Sequence, residues 1–413
     1  MQSTDSLDAQ PPGRMIPLEA IRGIAAVIVV VYHGFLGFAP QVIHGGDAPG
    51  QVLREFTTGL VNGGAAVSMF FVLSGFVLSL PFSRRGGLRR AATSIFKRWP
   101  RLAGMTITAC LFAWLLMKLS GNTYAIAGRA THASWLVTHG NSPIETSHAL
   151  TWYRALREGA ISVFTLGHVR FDSALWTMRI ELFCSIAIFL LAPLMFALRN
   201  WALQMILLAG GIIITGTDFP FTYLGDFLCG MALALTFKAG LLPRLNGTGA
   251  WLLIGLALFT FGFRGSQNFL VYAPVRAILP SGDSNHYVWD CGAVAVMIAV
   301  LGYAPFYRML SRRWAVRIGV LSFPIYVVHE PILLSLGAAS FLHGASLFGR
   351  TDGVALAVIV TVLVSLACAV PLAWADQRWC AALSRLARVV FPPADDLPLR
   401  QTADGERSAE PRR

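Results

Sequence analysis

The sequence predicts an all-α fold: a polytopic bundle of about ten transmembrane helices with both termini on the cytoplasmic side. Three observations predict it. Hydrophobic residues make up 55% of the 413-residue chain and charged residues only 13%, about half the charged share of a soluble domain; mean hydropathy is +0.61. Apolar segments recur along the chain, each close to the roughly 20 residues that a bilayer crossing takes. The basic residues behind a formal net charge of +12 gather in alternate connections, as cytoplasmic loops do. This pattern explains the charge without nucleic acid, and the composition excludes a soluble enzyme on a single anchor.

Residues 1–15 read as a disordered cytoplasmic N-terminus, 16–375 as the transmembrane domain, and 376–413 as a basic, largely disordered cytoplasmic tail, in which a semi-helical stretch with Arg378, Arg385 and Arg388 precedes the disordered part from Pro392. The first apolar run follows Arg14, is too long for the core of a signal peptide and contains Arg22 and His33. It therefore reads as an uncleaved span. Spans are expected at about 16–39, 64–82, 101–119, 174–198, 201–216, 221–238, 249–264, 287–306, 316–338 and 353–375. The apolar stretch Gly159 to Leu166 is too short to cross and is expected to be re-entrant or interfacial.

Orientation follows from Arg and Lys. The connection Ser83 to Arg101 holds Arg84, Arg85, Arg89, Arg90, Lys97, Arg98 and Arg101, and Tyr307 to Arg317 is basic as well. On the opposite side, Pro40 to Gly63 carries only Arg54, and Phe341 to Asp352 only Arg350. The long external segments Gly121 to Ser173 and Arg264 to His286 suit either a polar external acceptor or plain connectors with aromatic anchors. Cys110, Cys184, Cys229, Cys291, Cys368 and Cys380 lie in or beside apolar segments, with neither disulfide nor metal spacing. They are expected to be free thiols, and no metal ligands are assigned.

Ionisable groups inside spans mark function. Arg22 and His33 are eleven residues apart, on nearly one helix face and roughly 16 Å apart along the axis. The imidazole can accept a proton near neutral pH, which makes His33 a candidate general base. Arg98 and Arg101, in Phe96-Lys97-Arg98-Trp99-Pro100-Arg101, either set topology or converge on a phosphate. Glu181 lies about a turn inside the span opened by Leu175-Trp176-Thr177-Met178-Arg179. Arg179, two positions away, points elsewhere. Ser322, Tyr326 and His329 share a face of a span that Pro324 and Pro331 should kink, around either a cavity or a packing bend. Ser74-Gly75 in the second span reads as close helix packing rather than as a nucleophile.

Five motifs in order carry a resemblance: Arg22-x10-His33, Phe70-Phe71-Val72-Leu73-Ser74-Gly75-Phe76, Phe96-Lys97-Arg98-Trp99-Pro100-Arg101, Leu175-Trp176-Thr177-Met178-Arg179-Ile180-Glu181, and Ser322-Phe323-Pro324-Ile325-Tyr326-Val327-Val328-His329-Glu330-Pro331. Together they resemble acyltransferase family 3, the membrane O-acyltransferases that include O-antigen, exopolysaccharide, peptidoglycan and Nod-factor acetylases. The similarity spans Ile16 to Trp374.

The resemblance implies acyl transfer, commonly acetyl from cytoplasmic acetyl-CoA, to a hydroxyl of an extracytoplasmic or lipid-linked glycan. The protein would then lie in a bacterial inner membrane, among lipids and without nucleic acid. Matched by motif, His33, Glu181 and His329 would be catalytic, with Glu181 or His329 orienting His33 or stabilising developing charge, and Arg22, Arg98 and Arg101 would bind acyl-CoA. Ser74, Trp176 and Tyr326 would line the substrate pocket. Two positions depart from the family: Leu182-Phe183 follows the glutamate where Phe-Tyr is frequent, and Ser68-Met69 precedes Phe70-Phe71 where an acid is common. A proton-coupled transporter using the same buried groups is the competing reading, although no paired halves are visible.

Overall fold

The computed structural model describes residues 15–44, 59–83, 87–140, 151–215, 222–264, 270–278 and 285–392. No strand occurs among them. A long helix occupies each predicted span: α1 (Ile16–Phe38), α2 (Gly63–Ser79), α3 (Gly87–Ser120), α4 (Trp176–Ala197), α5 (Trp201–Thr215), α6 (Thr222–Lys238), α7 (Gly247–Gly262), α8 (Asn285–Gly302), α9 (Arg313–Ile332) and α10 (Arg350–Val390). Pro17 starts α1, where its missing N–H costs nothing. Asn62 caps α2 by accepting from the Ala65 amide at 3.2 Å.

The chain is thus an all-α, multi-pass membrane bundle. Among the described residues seven helices are long and apolar enough to cross a membrane. The three others, α5, α6 and α7, have 15, 17 and 16 residues. At about 1.5 Å per residue they fall short of a 30 Å hydrocarbon core.

Two expected connections are helical instead, and the last helix runs on past its expected end. α3 begins at Gly87, so most of the expected loop before Arg101 is helix. The helix α9 runs through Pro324 and Pro331, passes a π-helical turn at Leu333–Gly337 and continues as Ala338–Phe348. This replaces the expected loop from Phe341, and the chain turns at Gly349, whose φ is +97°. α10 continues to Val390, so the stretch with Arg378, Arg385 and Arg388 that was expected to be semi-helical is one continuous helix with the last span. The extensions of α3 and α10 hold each other. The Trp379 indole donates to the Pro100 carbonyl at 2.9 Å, and Phe96 packs edge-on against Phe391. The extension of α3 was missed because an amphipathic helix rich in arginine reads as a polar loop.

The expected re-entrant piece is a short helical stretch, Trp152–Arg157, Glu158–Ser162 and Val163–Thr165, that leans on α3. Thr106 donates to the Gly159 carbonyl at 2.5 Å. All six cysteines are free. The expected disordered N-terminus up to Arg14, Arg54, Arg84, Arg85 and the tail beyond residue 392 lie outside the described residues.

The packing that positions the site is between α1 and α9. A Cβ on Gly23 would lie 2.6 Å from the Ile318 backbone, and one on Gly319 would lie 2.6 Å from the Glu19 carbonyl oxygen. The two backbones touch through reciprocal glycines. In each helix a histidine follows its glycine by ten residues: Gly23 to His33, Gly319 to His329. At equal rise the two side chains reach the same level, about 15 Å beyond the contact. Gly319→Ala is therefore expected to destabilise the fold by about 1–3 kcal/mol through overpacking. Gly255→Ala on α7, where a Cβ meets nothing within 4 Å, should be neutral or stabilising. Thermal unfolding in detergent checks both, and equal effects would contradict the packing argument.

Candidate functional site

The chemistry-bearing groups form two neighbouring chambers. In the first, His33 Nδ1 lies 3.0 Å from His329 Nε2, and His329 Nδ1 lies 2.6 Å from the Tyr326 carbonyl oxygen. A carbonyl only accepts, so His329 Nδ1 carries the proton. With both rings neutral, His329 Nε2 is an acceptor, and His33 Nδ1–H donates to it. The lone pair of His33 is then on Nε2. This is the tautomer a general base needs, and the other ring nitrogen is already oriented.

Trp135 stacks on His33 with ring centroids 5.2 Å apart and planes within 9°. It belongs to the turn of helix Ser134–Val137 and holds one ring face of the imidazole. The chamber at His33 has a volume of about 170 Å³. Tyr32, Ser68, Trp176, Tyr223, Trp289 and Tyr326 contribute to its wall.

The second chamber, about 240 Å³, is lined by Arg22, Arg98, Arg101, Glu19, Glu181 and Ser74 among others. Arg98 is buried and ion-paired with Glu181. Its Nε donates to Ser185 Oγ at 2.7 Å, and Ser74 Oγ donates to Glu181 at 3.0 Å. Arg22 is near enough to feel Glu181, Arg101 and Glu19, whereas Arg101 is exposed at the rim. The chamber suits an anion, and Arg22 and Arg101 have more freedom to meet it than Arg98.

Val67 and Tyr326 line both chambers and form the partition between them. Tyr326 is locked in place: its hydroxyl donates to the Ala174 carbonyl at 2.7 Å and accepts from Thr177 at 2.8 Å. The sequence-predicted residues thus divide. His33, Trp176 and Tyr326 meet in one chamber, and His329 reaches it only through its bond to His33. Arg22, Arg98, Arg101, Ser74 and Glu181 meet in the other, with Tyr326 shared. Glu181 does not orient His33; it sits with Arg98. Arg179 is exposed, away from Glu181 as expected.

Glu330, next to His329 in sequence, points away to the Ser173 amide at 3.1 Å and to the Ser173 hydroxyl. Burial, and then the Glu330 carboxylate beside it, push the Asp172 carboxyl well above its ordinary value. Trp135 was not singled out from the sequence. It lies in a polar connector with no periodicity, and only contact with His33 reveals it.

A model of the acyltransferase domain family matches residues 16–370 of the chain. An O-acetyltransferase of Phomopsis amygdali, PaAT-1, is 27% identical over 368 residues, and the match covers 78% of this chain and 73% of that protein. No solved structure matches.

Proposed function

We propose that this chain, which belongs to acyltransferase family 3, moves an acetyl group from cytoplasmic acetyl-CoA to a hydroxyl of an extracytoplasmic or lipid-linked glycan, in a bacterial inner membrane. The family and the O-acetyltransferase relative support acyl transfer. The observation that carries the finer reading is the pairing of His33 with His329, one partition away from the arginine chamber.

The polyanionic donor cannot cross hydrocarbon, so its phosphates rest at Arg22 and Arg101, at the end of the bundle that the basic extensions of α3 and α10 assign to the cytoplasm. The pantetheine arm carries the thioester past Val67 and Tyr326 to His33. His33 Nε2 takes the proton of the acceptor hydroxyl, and the oxygen attacks the thioester carbonyl. The C–S bond breaks, and the proton passes from His33 to the leaving thiolate. His329, accepting from Nδ1, stabilises the imidazolium while it exists.

The test is incubation of membranes with radiolabelled acetyl-CoA, followed by mass spectrometry of the surface glycans. Label in a glycan ester supports the proposal; solute flux independent of CoA, with no ester formed, points to transport instead. His329→Ala should cut turnover roughly a hundredfold with the donor KM unchanged, because it removes orientation of the base and not donor binding. An unchanged kcat, or an effect confined to KM, would rule out His329 as a positioning residue.

A further inference from the structure

A second buried cluster lies behind the His33 chamber, outside the groups used above. Asp226 sits in the second turn of α6. His286 and Asp290 are one turn apart on α8 and share a face. Their exposures are 0%, 4% and 3%. Asp226 Oδ1 accepts from His286 Nδ1 at 3.1 Å, and the Ser68 hydroxyl lies beside the same carboxylate. Among the described residues no hydrogen-bond donor reaches either oxygen of Asp290 or the second oxygen of Asp226. What faces the Asp290 carboxylate is the Asp226 carboxylate.

Two fully buried carboxylates can face each other only across a shared proton or a cation. The third donor decides between them. One atom each from Asp226, His286 and Asp290 lie within 4.8 Å of one another, and ligand atoms on a tetrahedral ion with bonds of about 2.0–2.2 Å are roughly 3.5 Å apart. Small side-chain rotations therefore close the set. We propose that α6 and α8 hold a divalent transition-series cation through Asp226, His286 and Asp290.

One imidazole nitrogen with two carboxylate oxygens is a donor set for zinc or its neighbours, whereas calcium and magnesium favour oxygen alone. The cation ties α6 to α8. Through Ser68, which lies beside Asp226, and Tyr223, whose ring lies 5.7 Å from His286, it also braces part of the chamber wall.

The experiment uses the full-length protein in detergent, without an acyl donor, so its outcome is independent of the acyl-transfer reading. Elemental analysis after chelator-free purification is expected to find about one equivalent of a transition metal. Stripping with a chelator and adding back Zn²⁺ should raise the unfolding temperature by several degrees. Asp290→Asn and His286→Gln should both lose that rise. Metal-free wild-type protein with an unfolding temperature indifferent to Zn²⁺ would overturn the proposal in favour of a shared proton. A rise retained in both variants would overturn it as well, by placing the metal elsewhere.

Discussion

Replacing His33 by alanine should lower acetyl transfer by about 10²–10⁴-fold while leaving the protein folded. The expectation follows from the tautomer chain. The Tyr326 carbonyl fixes the proton on His329 Nδ1, His329 Nε2 then fixes one on His33 Nδ1, and only His33 Nε2 is left to accept from a hydroxyl. Alanine removes the single basic atom of that chain without opening a helix contact, because α1 is held to α9 at Gly23 and Gly319, ten residues away. Label transfer from acetyl-CoA reads activity, and thermal unfolding reads the fold. Wild-type transfer by a stably folded His33→Ala protein would remove His33 from the mechanism. Donor-only incubation adds a second readout: label bound covalently to the wild-type chain but not to the variant would replace direct transfer by an acyl-histidine intermediate.

Much of this arrangement is legible in the sequence. Hydrocarbon demands long apolar segments, so every long helix was placed. It penalises ionisable groups, so Arg22, His33, Glu181 and His329 stood out one by one. Which of them meet was not legible. Glu181 and His329 were equal candidates to partner His33, and the choice is made by tertiary packing: α9 lies against α1, while α4 lies against α3. The matching intervals from Gly23 to His33 and from Gly319 to His329 are in the sequence, but they acquire meaning only once the two helices are known to touch in register. Asp226, His286 and Asp290 illustrate the opposite failure. Two carboxylates lay inside or beside predicted spans and were passed over because they match no motif. A rule that every intramembrane acid needs a named partner would have found them.

Removing either member of the Arg98–Glu181 pair should destabilise the protein by about 3–5 kcal/mol, and removing both should cost much less than the sum. The side chains are only 8% and 15% exposed, so a lone survivor is left charged in a poorly solvated site. Glu181→Ala strands Arg98 with Ser185 as its remaining partner, and Arg98→Ala strands Glu181 with Ser74. The double variant Arg98→Met with Glu181→Leu strands neither and should regain most of the lost stability, measured as the unfolding midpoint in detergent. If the single and double variants lose the same stability, the two residues do not act as a pair. The distinction bears on donor binding. Arg22 and Arg101 are not committed in this way, so Arg22→Ala and Arg101→Ala should raise the KM for acetyl-CoA about ten- to a hundredfold, the loss of one charge-assisted phosphate contact, with the unfolding midpoint little changed. Arg98→Ala should move the midpoint first. These outcomes would separate the three arginines of one chamber into an internal brace and two proposed donor ligands, a division that charge and spacing alone do not make.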